Sequence, residues 1–246
     1  MKRIARISVL LLLCAVILSS CSSVFDTTDY RQLTNEVYTK YIEANVAVIT
    51  NHKNQTSTYD STGSGVIYRE DTGYYYCLTN CHVIDSDPEF PITIYTVIDC
   101  YGTEHFGTLV HSDPEYDLAV VKFRKGAEPL YVADIADKDP RMNALTKVVA
   151  IGNSNEIKNA LTYGEITAYD TVEMRDNDGN DVSLDFKVIH HNAPMWEGGS
   201  GGALFSTDME IIGINFAVAT DSEGRFFSGY AISVSKIREY LEKYDK

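Results

Sequence analysis

Positive charge is scarce in this chain: 21 Lys and Arg face 35 Asp and Glu, a formal net charge of −14. Such a deficit argues against nucleic acid as a partner and against a basic membrane-binding face, since both need clustered cations. Apolar runs of bilayer length are also missing. The stretch Ile7 to Leu18 has twelve residues, well short of the roughly twenty that a spanning helix needs. Cysteine is sparse, and outside that stretch only Cys21, Cys77, Cys81 and Cys100 occur. If Cys77 and Cys81 share one extended strand they sit about 13 Å apart, beyond the ~7 Å that a disulfide tolerates between Cα atoms. A turn at Asn80 would shorten that distance, and a bridge from Cys100 to either is not excluded. Cys77, Cys81 and His82 match no standard zinc spacing. Buried free thiols, no metal and no cofactor are the expectation.

What stands out is Gly198-Gly199-Ser200-Gly201-Gly202, a serine among four glycines. Glycine permits positive φ and close approach of other chain, and it leaves amide N–H groups uncovered for a developing oxyanion. The apolar Ala203-Leu204-Phe205 and Ile211-Ile212-Gly213-Ile214 follow, which separates the run from a flexible linker. Ser200 is the candidate nucleophile. A nucleophile elbow of the α/β-hydrolase kind needs a histidine after the serine, but the last histidine is His191. The order His, Asp, Ser remains.

His82 lies between the aromatic and apolar Tyr74-Tyr75-Tyr76-Cys77-Leu78-Thr79-Asn80-Cys81, read as a strand, and Val83-Ile84. Rigid packing beside a cleft is what a general base needs. His52, His105 and His111 suit surface or structural roles. Asp117 opens Asp117-Leu118-Ala119-Val120-Val121-Lys122-Phe123, where a carboxylate pinned at a buried strand could accept the imidazole Nδ1–H. Asp113, before Pro114, reads as turn chemistry.

Six ordered blocks carry a resemblance: Gly63-Ser64-Gly65-Val66-Ile67, Leu78 to Ile84, Asp117 to Val121, Val149-Ala150-Ile151-Gly152-Asn153, Gly198 to Gly202, and Gly229-Tyr230-Ala231-Ile232. Together they resemble trypsin-like serine proteases of the bacterial HtrA (Deg) branch, over about residues 40 to 246. The resemblance implies an all-β fold of two antiparallel barrels and an endopeptidase acting on protein or peptide substrates. His82 would be the base, Asp117 its orienter, Ser200 the nucleophile, and the N–H groups of Gly198 and Ser200 the oxyanion hole. Gly199 departs from the pattern, which has Asn in HtrA proteins and Asp in trypsins, so the loop lacks an anchoring side chain. A trypsin-like binding lipoprotein with little activity is the competing expectation.

The resemblance also puts the substrate pocket before Ser200 and on Ile214-Asn215-Phe216-Ala217. Pro194, Met195 and Trp196 supply no acid to attract Arg or Lys. Met195, Asn215, Phe216 and Ala217 are therefore expected to favour a small or medium apolar P1 side chain, with Phe216 narrowing the entrance.

Lys2, Arg3 and Arg6 precede the apolar stretch, and residues 1–20 read as a signal peptide. Its end, Leu18-Ser19-Ser20-Cys21, resembles a bacterial lipobox, so lipid on Cys21 would hold the protein to a membrane on the extracytoplasmic side. Without Met1–Ser20, which hold three basic residues and no acid, 18 basic residues face 35 acidic ones, a net of −17. Residues 21–29 read as a tether and 30–246 as the protease domain. Within it a helix is expected over Tyr30–Ala44, one barrel over about 45–123, a crossover over about 124–143, a second barrel over about 144–232 and a closing helix over 233–246. Asp176 to Asp181 reads as a hairpin loop. No PDZ domain is expected after the closing helix. Nothing indicates an oligomer.

Overall fold

The structure, a computed structural model, describes residues 40–140, 146–153, 157–175 and 181–244. Cys21, the tether and most of the expected first helix lie outside the described residues; the part described is a 3-10 turn, Ile42–Ala44.

The chain then builds β1 (Asn45–Lys53), β2 (Thr58–Glu70), β3 (Tyr74–Thr79), a one-turn helix α1 (Cys81–Ile84), β4 (Ile92–Ile98), β5 (Glu104–Asp113) and β6 (Leu118–Arg124). After the crossover come β7 (Lys147–Gly152), β8 (Ala160–Asp170), β9 (Glu173–Arg175), β10 (Asp181–Ser183), β11 (Val188–His191), β12 (Ala203–Phe205), β13 (Ile211–Thr220), β14 (Phe226–Ser233) and α2 (Val234–Tyr244). Two closed six-stranded antiparallel barrels result, in the orders β1-β2-β3-β6-β5-β4 and β11-β14-β13-β12-β7-β8. The all-β double barrel is as expected. Closure removes the exposed edges that an open sheet would present.

Strand alternation fills each barrel. On β1, Val46, Val48, Thr50 and His52 are buried while intervening residues are less so, the period-two pattern of a sheet with one face inward. Val46, Val48, Ile67, Val97, Val121 and Phe123 meet in the first core. Val148, Ile166, Ile189, Leu204 and Ile212 meet in the second. His52, for which a surface role was open, is 2% exposed and stacks on Tyr59 with ring centroids 4.5 Å apart.

Among the described residues, the crossover contains no named strand, only an isolated bridge from Ile135 to Ile211. The strands flanking the expected hairpin loop, β9 and β10, are paired antiparallel. The closing helix is described over Val234–Tyr244, and the last two residues lie outside the described set. It caps the second barrel and reaches the first. Arg238 Nε donates to the Ala136 carbonyl at 2.7 Å, and Lys243 Nζ donates to Asp113 Oδ2 at 2.9 Å. Tyr244 OH also donates to Asp113 Oδ2, at 2.8 Å. Asp113 thus holds a helix end.

Candidate active site

The expected strand through Cys81 stops earlier, at Thr79, and the chain turns into α1. That turn is tied to β6. Asn80, fully buried, donates from Nδ2 to the Asp117 carbonyl at 2.9 Å. Asp117 itself has a left-handed φ of 51°, a conformation that costs a non-glycine residue about 1 kcal/mol or more and persists where surroundings over-determine it. Here the Asn80 bond is one restraint. A second is the bond from the Asp117 N–H to the Pro114 carbonyl, 3.3 Å.

The result brings His82 and Asp117 together. His82 Nδ1 lies 2.9 Å from Asp117 Oδ2 and 3.0 Å from Oδ1. The His82 backbone N–H also donates to Oδ1, at 3.0 Å. One carboxylate therefore fixes both the ring and the main chain, and a bond to Nδ1–H leaves Nε2 as the unprotonated nitrogen of the neutral ring. The carboxylate is 15% exposed and the imidazole 47%. Partial burial pulls the His82 pKa down, but the hydrogen bond and charge of Asp117, with Asp85 adding charge, raise it above the ordinary histidine value.

Ser200 sits on the loop between β11 and β12. Its Oγ donates to the Phe216 carbonyl at 3.1 Å, and no hydrogen bond joins it to His82. The loop turns on two left-handed glycines, Gly198 and Gly201, each with φ 86°. At Gly201 a Cβ would also collide with the Ser64 carbonyl and the Thr79 hydroxyl, so only glycine lets β2 run this close. The other amides of the Gly198–Gly202 run are engaged: Gly199 N–H with Trp196 O at 3.0 Å, Gly201 N–H with Asn215 O at 2.8 Å and Gly202 N–H with Gly199 O at 3.0 Å. The N–H groups of Gly198 and Ser200 have no partner among the described residues. Two uncommitted donors flanking a candidate nucleophile are what an oxyanion requires.

Beside this loop lies a pocket lined by Pro194, Met195, Gly199, Asn215, Gly152 and Thr162, among others. Met195 and Asn215 thus line it. Phe216 and Ala217, on the same strand, are not among its lining residues, though Phe216 meets Ser200 through its carbonyl. The Asn215 amide is already committed, accepting from or facing His191 Nε2 at 3.0 Å and donating to the Gly202 carbonyl at 3.1 Å. Burial drives the His191 pKa down to about 4, the Asn215 bond opposing it, so this imidazole is neutral near pH 7.

The three described cysteines are free. Cys77 Sγ faces the Val121 carbonyl at 3.3 Å and Cys81 Sγ faces Asp85 Oδ1 at 3.5 Å. Burial pushes both thiols up to about 12, far from a reactive thiolate. Among the described residues no three His, Cys, Asp or Glu side chains gather as metal ligands.

Several participants escaped sequence reasoning: Asn80, which locks Asp117; Ser64, whose Oγ reaches the Gly198 carbonyl at 2.7 Å; and His191. Asn80 and Ser64 stand inside two of the blocks that carried the resemblance, which was the available signal.

Fold and sequence together define the class: residues 63–214 match the family model of the trypsin-like peptidase domain, and the chain belongs to that family. Its relatives are of the HtrA type. The chain is 29% identical over 188 residues to the serine protease Do-like HtrA of Bacillus subtilis, covering 76% of this chain and 40% of that one. It is 32% identical over 181 residues to a probable periplasmic serine protease do/HhoA-like of Haemophilus influenzae, covering 74% and 36%. Among solved structures, an HtrA-type protease AlgW variant with a tripeptide superposes with a TM-score of 0.65 at 27% identity, over 85% of this chain and 62% of that one. The chain spans about two-fifths or less of the length of these two curated relatives.

Proposed function

We propose that this chain is a serine endopeptidase that cleaves protein or peptide substrates by acyl transfer, with Ser200 as nucleophile, His82 as general base and Asp117 as its orienter. The observation that carries the reading is the double hold of Asp117 on His82, which sets the ring with Nε2 free to take a proton. Catalysis then needs Ser200 Oγ to leave the Phe216 carbonyl and turn to His82. A neutral hydrogen bond is worth about 1 kcal/mol net, so the turn is a small part of any acylation barrier. As Oγ attacks the scissile carbonyl, its proton passes to Nε2, and the imidazolium is stabilised by Asp117. The new oxyanion faces the free N–H groups of Gly198 and Ser200. His82 next returns the proton to the leaving amine, and water repeats the sequence to release the acyl group.

The pocket lined by Met195 and Asn215, with no acid among its lining residues, supports a small or medium apolar P1 side chain; Phe216 and Ala217 would border the substrate's approach. The Haemophilus influenzae relative, named a probable periplasmic serine protease, supports action outside the cytoplasm. Lipid on Cys21 would tether the protein there, in line with the basic start and short apolar core. No described helix is long and apolar enough to cross a membrane.

A fluorophosphonate probe and casein test the reading. Labelling and cleavage should both vanish in Ser200→Ala; labelling that persists in that variant excludes Ser200 as nucleophile. Intact mass with membrane fractionation tests the anchor, and an unacylated, soluble wild-type protein would refute it. The Ser200 bond to the Phe216 carbonyl favours a second reading, a binding lipoprotein with little activity. Absence of both labelling and cleavage in the folded wild type would select it.

A further inference from the structure

Ser64, on β2 in the first barrel, is fully buried, and it touches neither His82 nor Asp117. It works instead on the second barrel. Its N–H donates to the Ser200 carbonyl at 2.7 Å. Its Oγ donates to the Gly198 carbonyl at 2.7 Å and accepts from the Asn153 N–H at 2.7 Å. Its own carbonyl accepts from Thr79 Oγ1 at 2.7 Å, which fixes Ser64 in turn.

Ser64 Oγ thus holds the peptide between the two free amides, and Ser64 N–H holds the peptide that follows Ser200. The Gly198–Gly199 peptide is held at its oxygen by Ser64 Oγ and at its N–H by the Trp196 carbonyl. In the next peptide the Gly199 oxygen accepts from Gly202 N–H, and in a trans peptide that sends the Ser200 N–H the opposite way. A glycine loop has no side chains with which to restrain itself, and each glycine loses more freedom on ordering than any other residue. Gly199 borders a pocket that Thr162 also lines, and the Thr162 Oγ1 is buried without a partner.

We infer that Ser64 is a positioning residue for the oxyanion loop: its hydroxyl, bound to the Gly198 carbonyl, holds the Gly198 and Ser200 amides toward the reacting carbonyl and supplies the restraint that a side chain at 199 would otherwise give. This rests on the acyl-transfer reading above. It differs from a purely structural role as a link between barrels, because it requires the loop amides and turnover to change while the barrels stay folded.

The experiment uses the full chain with Ser64→Ala, Ser64→Cys and each combined with Gly199→Asn. Gly199 is not one of the left-handed glycines, so asparagine is sterically permitted by its backbone. Hydrogen exchange over residues 196–201, kcat and KM on a peptide substrate, and circular dichroism are measured together. Ser64→Ala should speed exchange in that segment and lower kcat about tenfold to a hundredfold, less than the roughly hundredfold to thousandfold cost of removing an oxyanion donor outright, with KM within about twofold. Gly199→Asn should recover part of both losses by placing an amide against the Thr162 hydroxyl. Should Ser64→Ala fail to fold, Ser64→Cys, of similar volume and weaker donation, decides by the same measures. Unchanged exchange, or faster exchange with unchanged kcat, overturns the inference. A fall in thermal stability with loop exchange unaltered also overturns it, and absence of recovery overturns the exchange of roles with residue 199. A wild-type protein that neither labels nor cleaves refutes the protease reading instead, and loop exchange still judges Ser64.

Discussion

The Asp117 carboxylate takes two hydrogen bonds from a single residue, His82: one from ring Nδ1 at 2.9 Å and one from the backbone N–H at 3.0 Å. Replacing the carboxylate by an amide keeps its shape while allowing the wrong tautomer. Asp117→Asn should therefore fold normally and lose about 10⁴-fold in kcat, as expected for an orienting carboxylate. A loss below about tenfold would remove Asp117 from that role.

The acid limb of activity follows from the same pair. His82 acts as base only when neutral, and Asp117 and Asp85 outweigh its burial to raise its pKa. As pH falls through that raised value the base becomes protonated, so kcat/KM should reach half its plateau above the ordinary histidine value of about 6.5. Asp85→Asn should move this midpoint to lower pH by less than one unit. A midpoint that shifts upward in that variant contradicts the assignment.

His191 predicts a dependence of stability, not of rate. Its folded pKa is depressed to about 4, while the unfolded chain titrates near 6.5. Between those values the unfolded state binds more protons, so stability rises with pH across the window and is lost on acidification. The full penalty, reached only below the folded pKa, is about 3 kcal/mol. Urea midpoints at pH 4.5 and pH 7 should therefore draw closer in His191→Gln than in the wild type; an unchanged spread rejects the idea.

Asn80 offers a structural test. Asn80→Ala removes the bond to the Asp117 carbonyl and frees a strained φ. A loss of about 1–2 kcal/mol in stability is expected, with kcat reduced more than KM. Chemical denaturation and steady-state kinetics on the same preparation check both.

The double barrel was legible because short apolar strands alternate with turn signals, and because inward positions on strands such as β1 repeat every second residue. The meeting of His82 with Asp117 and the tight glycine turn around Ser200 were legible from order and local setting, marked by the start of β6 and by the loop glycines. Ser64 and Asn80 were not, since their work depends on partners 134 and 37 residues away, distances that periodicity does not encode. The one-turn helix α1 was hidden by Cys81, Val83 and Ile84, apolar residues that read equally well as strand. For His52 the polar neighbours left surface and structural roles open, and alternation along β1 turned it inward, to the structural one.

The grip of α2 on Asp113 has a consequence for how the molecule is made. Lys243 and Tyr244 meet that carboxylate across 130 and 131 residues of chain, and Tyr240 donates to the His111 carbonyl across 129. A ribosome that has released only the first barrel has therefore produced a β5–β6 corner still lacking the helix that covers it, so that barrel reaches its final form only after almost all of the described chain has emerged.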